Sequence, residues 1–258
     1  MNGFERHGIR HLSASSLNLW ASEPAVWAME RLLGHRGPPS AMMARGKAVE
    51  EGIHGGLVNP SETLEAAIQT ALAAYDREMA LVPDEKRDSE RLQIPGYVEH
   101  GLNELRQYGI PTAYQERVEI RLEDVPVPVI GFIDWRFDQH GLIVDLKTGE
   151  RLPAAISLPH ARQGAIYARA HDNYGMRFAY VKPTAGKKDG RAVAVYELER
   201  AEVERQLIAL REIALRLGRF LSLSADASEL CGLIVPDYER FHWTNPVTRA
   251  RGAEVYGF

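Results

Sequence analysis

The stretch that decides the fold spans residues 131–149 and reads GFIDWRFDQHGLIVDLKTG. It contains two runs rich in apolar residues, one ending at Phe137 and one running into Asp145-Leu146-Lys147, separated by Asp138-Gln139-His140-Gly141. That pattern predicts a β-hairpin. Side chains alternate faces along a strand, so Asp145 and Lys147 share a face. With Gln139 and His140 as a two-residue turn, Asp134 stands directly opposite Asp145 on that same face. A three-residue turn instead shifts the register by one. Two facing carboxylates are destabilising unless a cation lies between them. The hairpin alone fits equally well as an ordinary charge ladder in which Arg136 and Lys147 neutralise the aspartates.

Outward from the hairpin, Val118, Ile120 and Leu122 alternate with Glu119, Arg121 and Glu123, the pattern of a half-buried strand that leads through VPVPV into the hairpin. Glu116 and Glu119 read as solvent-face residues of that strand. Downstream, a helix is expected from about Pro159 to the Tyr174-Gly175 pair, with Gln163 and Tyr167 as i, i+4 neighbours on one face and His160 a turn earlier. Taken alone, Gln163 reads as a surface residue and Tyr167 as packing. Two more strands are expected around residues 178–182 and 192–197, joined by the basic loop KPTAGKKDGR. Its Lys187, Lys188 and Arg191 suit either a nucleic-acid backbone or a merely soluble hairpin tip. An amphipathic helix over 199–221 carries Leu207, Leu210, Ala214, Leu217 and Leu221 on one stripe. The tail holds Tyr238, Phe241, Trp243 and Tyr256, read as packing onto the body with base stacking as the alternative.

Toward the N-terminus, residues 12–33 suggest two short helices with Pro24 near the start of the second, and with Leu17, Trp20, Val26, Trp27 and Met29 as core or docking residues. A helix follows over 40–57, its buried stripe marked by Met42, Val49, Ile53 and Leu57. Gly46, Glu50 and His54 form an adjacent stripe, and Arg45 near the start suits either a phosphate or solvent. Asn59 and Pro60 are expected to cap and open the next helix. The mixed-sign run 83–91 reads as solvated, and Pro95-Gly96 as an interruption of a helix that stops near Gly109. The chain thus divides into a helical part (1–110), a sheet core (111–198) and a C-terminal helix and tail (199–258), read together as a single domain.

The 258 residues are 45% hydrophobic, long for one compact domain and short for two. No apolar run suits a membrane span and the N-terminus lacks a signal-peptide core, so a soluble cytoplasmic protein is expected. The lone Cys231 excludes an intramolecular disulfide and argues against a cysteine-rich metal site. A net charge of −4 argues against a nonspecific DNA-coating protein, though not against a protein whose basic residues are confined to one groove.

Four segments in order, RGKAVE, GFIDW, VDLKTG and RQGAIY, resemble the motifs of the PD-(D/E)XK nuclease superfamily, in the branch of RecB-type nuclease domains, phage exonucleases and CRISPR-associated exonucleases. The resemblance implies an α/β, restriction-endonuclease-like core: a central mixed β-sheet flanked by helices, with helical N-terminal and C-terminal additions. It implies a metal-dependent deoxyribonuclease, an exonuclease by branch. A structure- or sequence-preferring endonuclease and a non-catalytic DNA-binding protein are the alternatives. By resemblance, Glu50, Asp134, Asp145 and the backbone carbonyl of Leu146 would hold Mg²⁺ or Mn²⁺. Lys147 would act on the attacking water and the phosphate, and Gln163 and Tyr167 would steady Lys147 or the DNA. His54 is a weaker site candidate than Glu50. Arg45, Arg162, Lys187 and Lys188 are candidate DNA contacts. Iron–sulfur members carry a cysteine before the N-terminal proline; Glu23 stands in that place here, and one thiolate cannot hold a cluster, so none is expected. The implied partner is DNA, with a helicase, a recombination or annealing protein, and self-association left open.

Overall fold

The structure, a computed structural model, describes residues 2–37, 39–186 and 190–257. Its first part alternates one minimal strand with helices: α1 (Gly3–Arg6), β1 (Leu12–Ser13), α2 (Ala14–Ser22), α3 (Pro24–Arg31), α4 (Ala41–Val58), α5 (Leu64–Glu78) and α6 (Arg87–Leu105). The sheet strands follow as β2 (Ala113–Ile120), β3 (Val129–Phe137) and β4 (Leu142–Thr148). Then come α7 (Leu158–Ala170), β5 (Gly175–Val181), β6 (Val193–Glu197), α8 (Arg200–Leu221), α9 (Ala227–Cys231) and α10 (Pro246–Tyr256). Among the described residues, no helix is long and apolar enough to cross a membrane.

Short polar residues set the helix starts. The Ser13, Ser40, Thr63 and Ser157 side chains each accept a backbone N–H of the first turn of α2, α4, α5 and α7. Thr63, not Asn59, therefore opens α5, and Asn59 ends α4. The expected break at Pro95 is also absent. Helix α6 runs through it, because Ile94, Tyr97, Val98, Leu102 and Leu105 are all fully buried on one side. Packing of that face outweighs the one backbone hydrogen bond that proline removes. Gly96 has a separate reason: a Cβ there would lie 2.0 Å from the carbonyl oxygen of Pro183. On α4, Met42 is 40% exposed and falls outside the expected stripe; Ala41, Ala44 and Arg45 take the buried positions of the first turns.

The sheet is mixed. β1 pairs with β3 in parallel, β2–β3, β3–β4 and β5–β6 are antiparallel, and β4–β5 is parallel through the α7 crossover. One apolar core, including Ile133, Ile143 and Phe178, packs beneath α2, α7 and α8. A second, including Trp135, Phe137, Val144 and Leu146, packs beneath α4, α5 and α6. Each such large side chain stabilises by about 1.5–3 kcal/mol on burial. A third cluster seats Trp243 of the tail on Ala25, Val26 and Met29 of α3, whereas Phe241 is exposed.

The hairpin turn is not the two-residue form. Asp138–His140 make a single 3₁₀ turn and Gly141 takes φ 54°, the left-handed conformation glycine adopts without strain. Phe137 then faces Leu142, and Trp135 faces Val144. The register is the one the two-residue turn would have given, but the ladder ends at Trp135 and stops short of Asp134 and Asp145.

That early end leaves a notch. β2 covers one edge of β3 from Val129 to Arg136, while the other edge is covered by β1 at Val129–Ile130 and by β4 at Trp135–Phe137. Between those contacts, residues 131–134 have no ladder partner on that edge. Both β2 and β3 also change core there: Val118 and Ile133 lie in the first, Tyr114 and Trp135 against the second. At the crossover Gln115 has φ 50°, one of two non-glycine residues with positive φ among those described.

Candidate active site

Side chains from β2, β3, β4 and α4 meet at the notch. Asp134 is buried, and its Oδ2 accepts the Leu146 backbone N–H at 2.9 Å, replacing the missing ladder bond. Asp145 is fully buried; Lys147 forms an ion pair with its Oδ2, while Oδ1 has no hydrogen-bond partner. Glu50 reaches in from the middle of α4. Gln115 ties it to the strands, its Nε2 donating to Glu50 Oε1 and to Asp134 Oδ1, the latter at 3.2 Å. Sequence reasoning missed this glutamine. It sits in an ordinary strand pattern, and a left-handed backbone leaves no mark in the sequence.

The electrostatics express crowding. Burial raises Asp134 well above the usual carboxylate range, and the charges of Asp145 and Glu50 add to it. Burial also raises Glu50, against the lowering effect of the Gln115 bond, and raises Asp145 against the pull of Lys147. Lys147 responds oppositely. Burial pulls its pKa down, but Asp145 and Asp134 outweigh that and hold it above the usual lysine value. Lys147 is therefore a cation at neutral pH. Among the described residues, no three His, Cys, Asp or Glu side chains form a ready-made cation cage. The donor set nevertheless fits a hard divalent cation: three buried or half-buried carboxylates, one oxygen unpartnered, and a pKa pattern that signals uncompensated negative charge.

Tyr167 and Gln163 stand on α7 beside this cluster, joined by a 2.7 Å bond from Gln163 Nε2 to the Tyr167 hydroxyl. The Tyr167 ring lies on Gly131, where a Cβ would come within 2.6 Å of it. Gly131 is thus the residue that lets α7 approach β3.

The remaining sequence candidates lie elsewhere. Arg45 is 2% exposed, paired with Glu90 of α6 and donating to Thr148 Oγ1 at 3.3 Å. It braces α4 against α6 and the end of β4 rather than facing solvent. Glu90 was hidden within a charged run that reads as solvated. Arg162 donates to Asn18 Oδ1 at 3.0 Å, linking α7 to α2. His54 stacks on Tyr114 at 3.7 Å between ring centres, and burial lowers its pKa, so its ring packs α4 against β2. Glu116 pairs with Arg136 at the far end of the hairpin. Lys187 and Lys188 fall outside the described residues.

Comparison with known proteins places the fold and the family. A solved structure from Eubacterium rectale, provisionally named an exonuclease, superposes with a TM-score of 0.61 at 13% identity, covering 92% of this chain and 88% of its own. Agreement at that identity establishes the fold. A second solved structure, SSO0001, aligns at a TM-score of 0.36 and 16% identity over 66% of this chain and 84% of its own, too weakly to carry an argument. No curated protein matches. The sequence model of the PD-(D/E)XK nuclease superfamily matches residues 11–232, from the strand before α2 to the end of α9, and so takes in the whole sheet. The chain belongs to the PD-(D/E)XK nuclease superfamily.

Proposed function

We propose that this chain is a metal-dependent DNA exonuclease that uses Mg²⁺ or Mn²⁺, with residues 1–258 acting as one nuclease unit. The observation that carries the reading is the convergence of Glu50, Asp134, Asp145 and Lys147 where β3 lacks a strand partner. PD-(D/E)XK nucleases generally use divalent metals. Glu50, Asp134 and Asp145 would hold the cation, with the Leu146 carbonyl as a further oxygen. Bound there, it would lower the pKa of a water and offset charge on the phosphate.

The chain's own residues do the rest. Lys147, paired with Asp145, is placed to act as a hydrogen-bond donor and a positive charge. It orients the water and offsets charge developing on the phosphate oxygens. Gln163 and Tyr167 restrain each other and line the approach to Lys147, positioning the strand. Gln115 keeps the helix-borne carboxylate beside the strand-borne ones. Attack on strand ends is supported by the resemblance to the RecB and phage exonuclease branch and by the name of the Eubacterium rectale relative. DNA processing, recombination or phage DNA metabolism are the settings that suit such an activity.

The test compares nucleotide release from matched linear and closed circular DNA in Mg²⁺ or Mn²⁺. Release from the linear form alone is expected. Cutting of the circle would overturn exonucleolytic action in favour of an endonuclease. Binding without hydrolysis of either form would overturn the catalytic reading.

A further inference from the structure

Helix α7 carries one more polar side chain near the site, His160, a turn before Gln163. Its ring stacks on Phe178 of β5 at 5.9 Å between centres, and Lys147 Nζ lies 5.9 Å from the centre of the same Phe178 ring. Imidazole and ammonium are thus neighbours across one aromatic ring. Tyr180, which faces Lys147 in the β4–β5 register, completes the group.

The buried Tyr180 fixes the imidazole. Its hydroxyl lies 2.8 Å from His160 Nδ1. Burial raises the phenol to about 12, so it keeps its hydrogen at pH 7. Burial and the charge of Lys147 push His160 down to about 4, so the imidazole is neutral. The bare nitrogen of a neutral imidazole is a better acceptor than a phenol oxygen, so Tyr180 donates and Nδ1 accepts. The ring hydrogen then sits on Nε2. Among the described residues Nε2 has no hydrogen-bond partner, and it is open to solvent.

His160 lines a cleft of about 610 Å³ that runs along the unpaired stretch of β3, walled by β1, the start of α2, and α7. The cleft shares Gln163 and Tyr167 with the catalytic notch. Among the described residues that form it there is no Asp or Glu, so nothing in the lining repels an anion. A non-bridging phosphate oxygen only accepts hydrogen bonds, and neutral side chains commonly supply them. A second cation beside Lys147 would be disfavoured by repulsion, whereas a neutral N–H adds a bond without a charge.

We propose that His160 contacts the substrate, its Nε2–H donating to a backbone phosphate oxygen of the DNA strand that enters this cleft toward Lys147. Tyr180 is then a positioning residue that sets the tautomer. The proposal rests on the nuclease reading and adds a phosphate contact to the site.

The test measures binding without catalysis. A mid-labelled single-stranded oligonucleotide is titrated in EDTA and followed by fluorescence anisotropy, with one terminal-region linkage at a time changed to a methylphosphonate. Wild-type protein should lose about tenfold in affinity at one linkage, the worth of a hydrogen bond to a charged group. His160→Ala, with folding verified by circular dichroism, should bind the normal strand more weakly and be less sensitive at that linkage. His160→Gln, whose amide still donates, should keep most of the sensitivity. Nitrogen NMR of labelled histidine at pH 7 should show His160 protonated on Nε2 alone in wild type and as a tautomer mixture in Tyr180→Phe. No binding by wild type, equal affinity for every linkage variant, an undiminished linkage effect in His160→Ala, or an unprotonated Nε2 would each overturn the proposal. Oligonucleotide hydrolysis by wild type in Mn²⁺ is assayed separately. Its absence would count against the nuclease reading, while the EDTA titration still decides whether His160 holds a phosphate.

Discussion

Asp134 is held by two donors, the Leu146 amide and the Gln115 side chain, yet burial and the Asp145 and Glu50 charges raise its pKa well above the carboxylate range. A carboxylate raised in the folded state binds more protons folded than unfolded. Its contribution is favourable near the unfolded value of 3.8 and is lost as pH rises toward the folded pKa. Asp134→Asn should therefore raise the melting temperature in EDTA, with a gain that is larger at pH 7 than at pH 4, while hydrolysis falls by at least about 10²-fold. A melting temperature lowered at pH 7 would show that the carboxylate is satisfied without a cation. Gln115 allows a separate test. Gln115→Gly suits the left-handed backbone but removes the bridge to Glu50, so Mn²⁺ affinity measured by calorimetry should weaken by about 10–100-fold, as for other groups that orient metal ligands. Unchanged affinity would remove Gln115 from the site.

Among the elements, α4 matters most because it delivers Glu50, and its seat is the buried Arg45–Glu90 pair. Removing one partner strands the other charge in the interior, so Glu90→Ala should cost about 3–5 kcal/mol in urea unfolding. A cost below about 1 kcal/mol would place the pair effectively in solvent. α7 depends on Gly131 in the same way. A methyl there meets the Tyr167 ring at 2.6 Å, so Gly131→Ala should destabilise by about 1–3 kcal/mol and lower activity by moving Tyr167 and Gln163. Wild-type turnover in that variant would separate α7 from the chemistry. These element contacts also mark where the sequence stopped being readable. Strand alternation around Val118 and Ile120 and the hairpin runs are periodic signals, and the structure reproduces them. The start of α5 was misplaced because Asn59-Pro60 and Thr63 are both acceptable openings, and tertiary fit selects between them. Pro95 was overridden by burial of the α6 face, a long-range effect that local propensity does not contain.

In the molecule as a whole, two cores on opposite faces of one mixed sheet hold β3 and β4, and the proposed catalytic groups lie where the ladder between them stops. The sequence showed Asp134, Asp145 and Lys147 because strand parity and one short turn fix their common neighbourhood. It did not show the Glu50–Gln115–Asp134 linkage, which joins residues 65 positions apart through a backbone conformation that no side-chain pattern encodes. It also read Glu90 as solvated, since a buried salt bridge looks like any other charge until its partner helix is in place. The measurement that bears most directly on the central claim is Mn²⁺-dependent release of acid-soluble nucleotides from linear DNA by wild type, Asp145→Asn and Lys147→Ala, with folding verified by circular dichroism. The notch account predicts release by wild type, lost in EDTA and abolished in both folded variants. Wild-type rates in either variant would contradict it and move the chemistry away from this site.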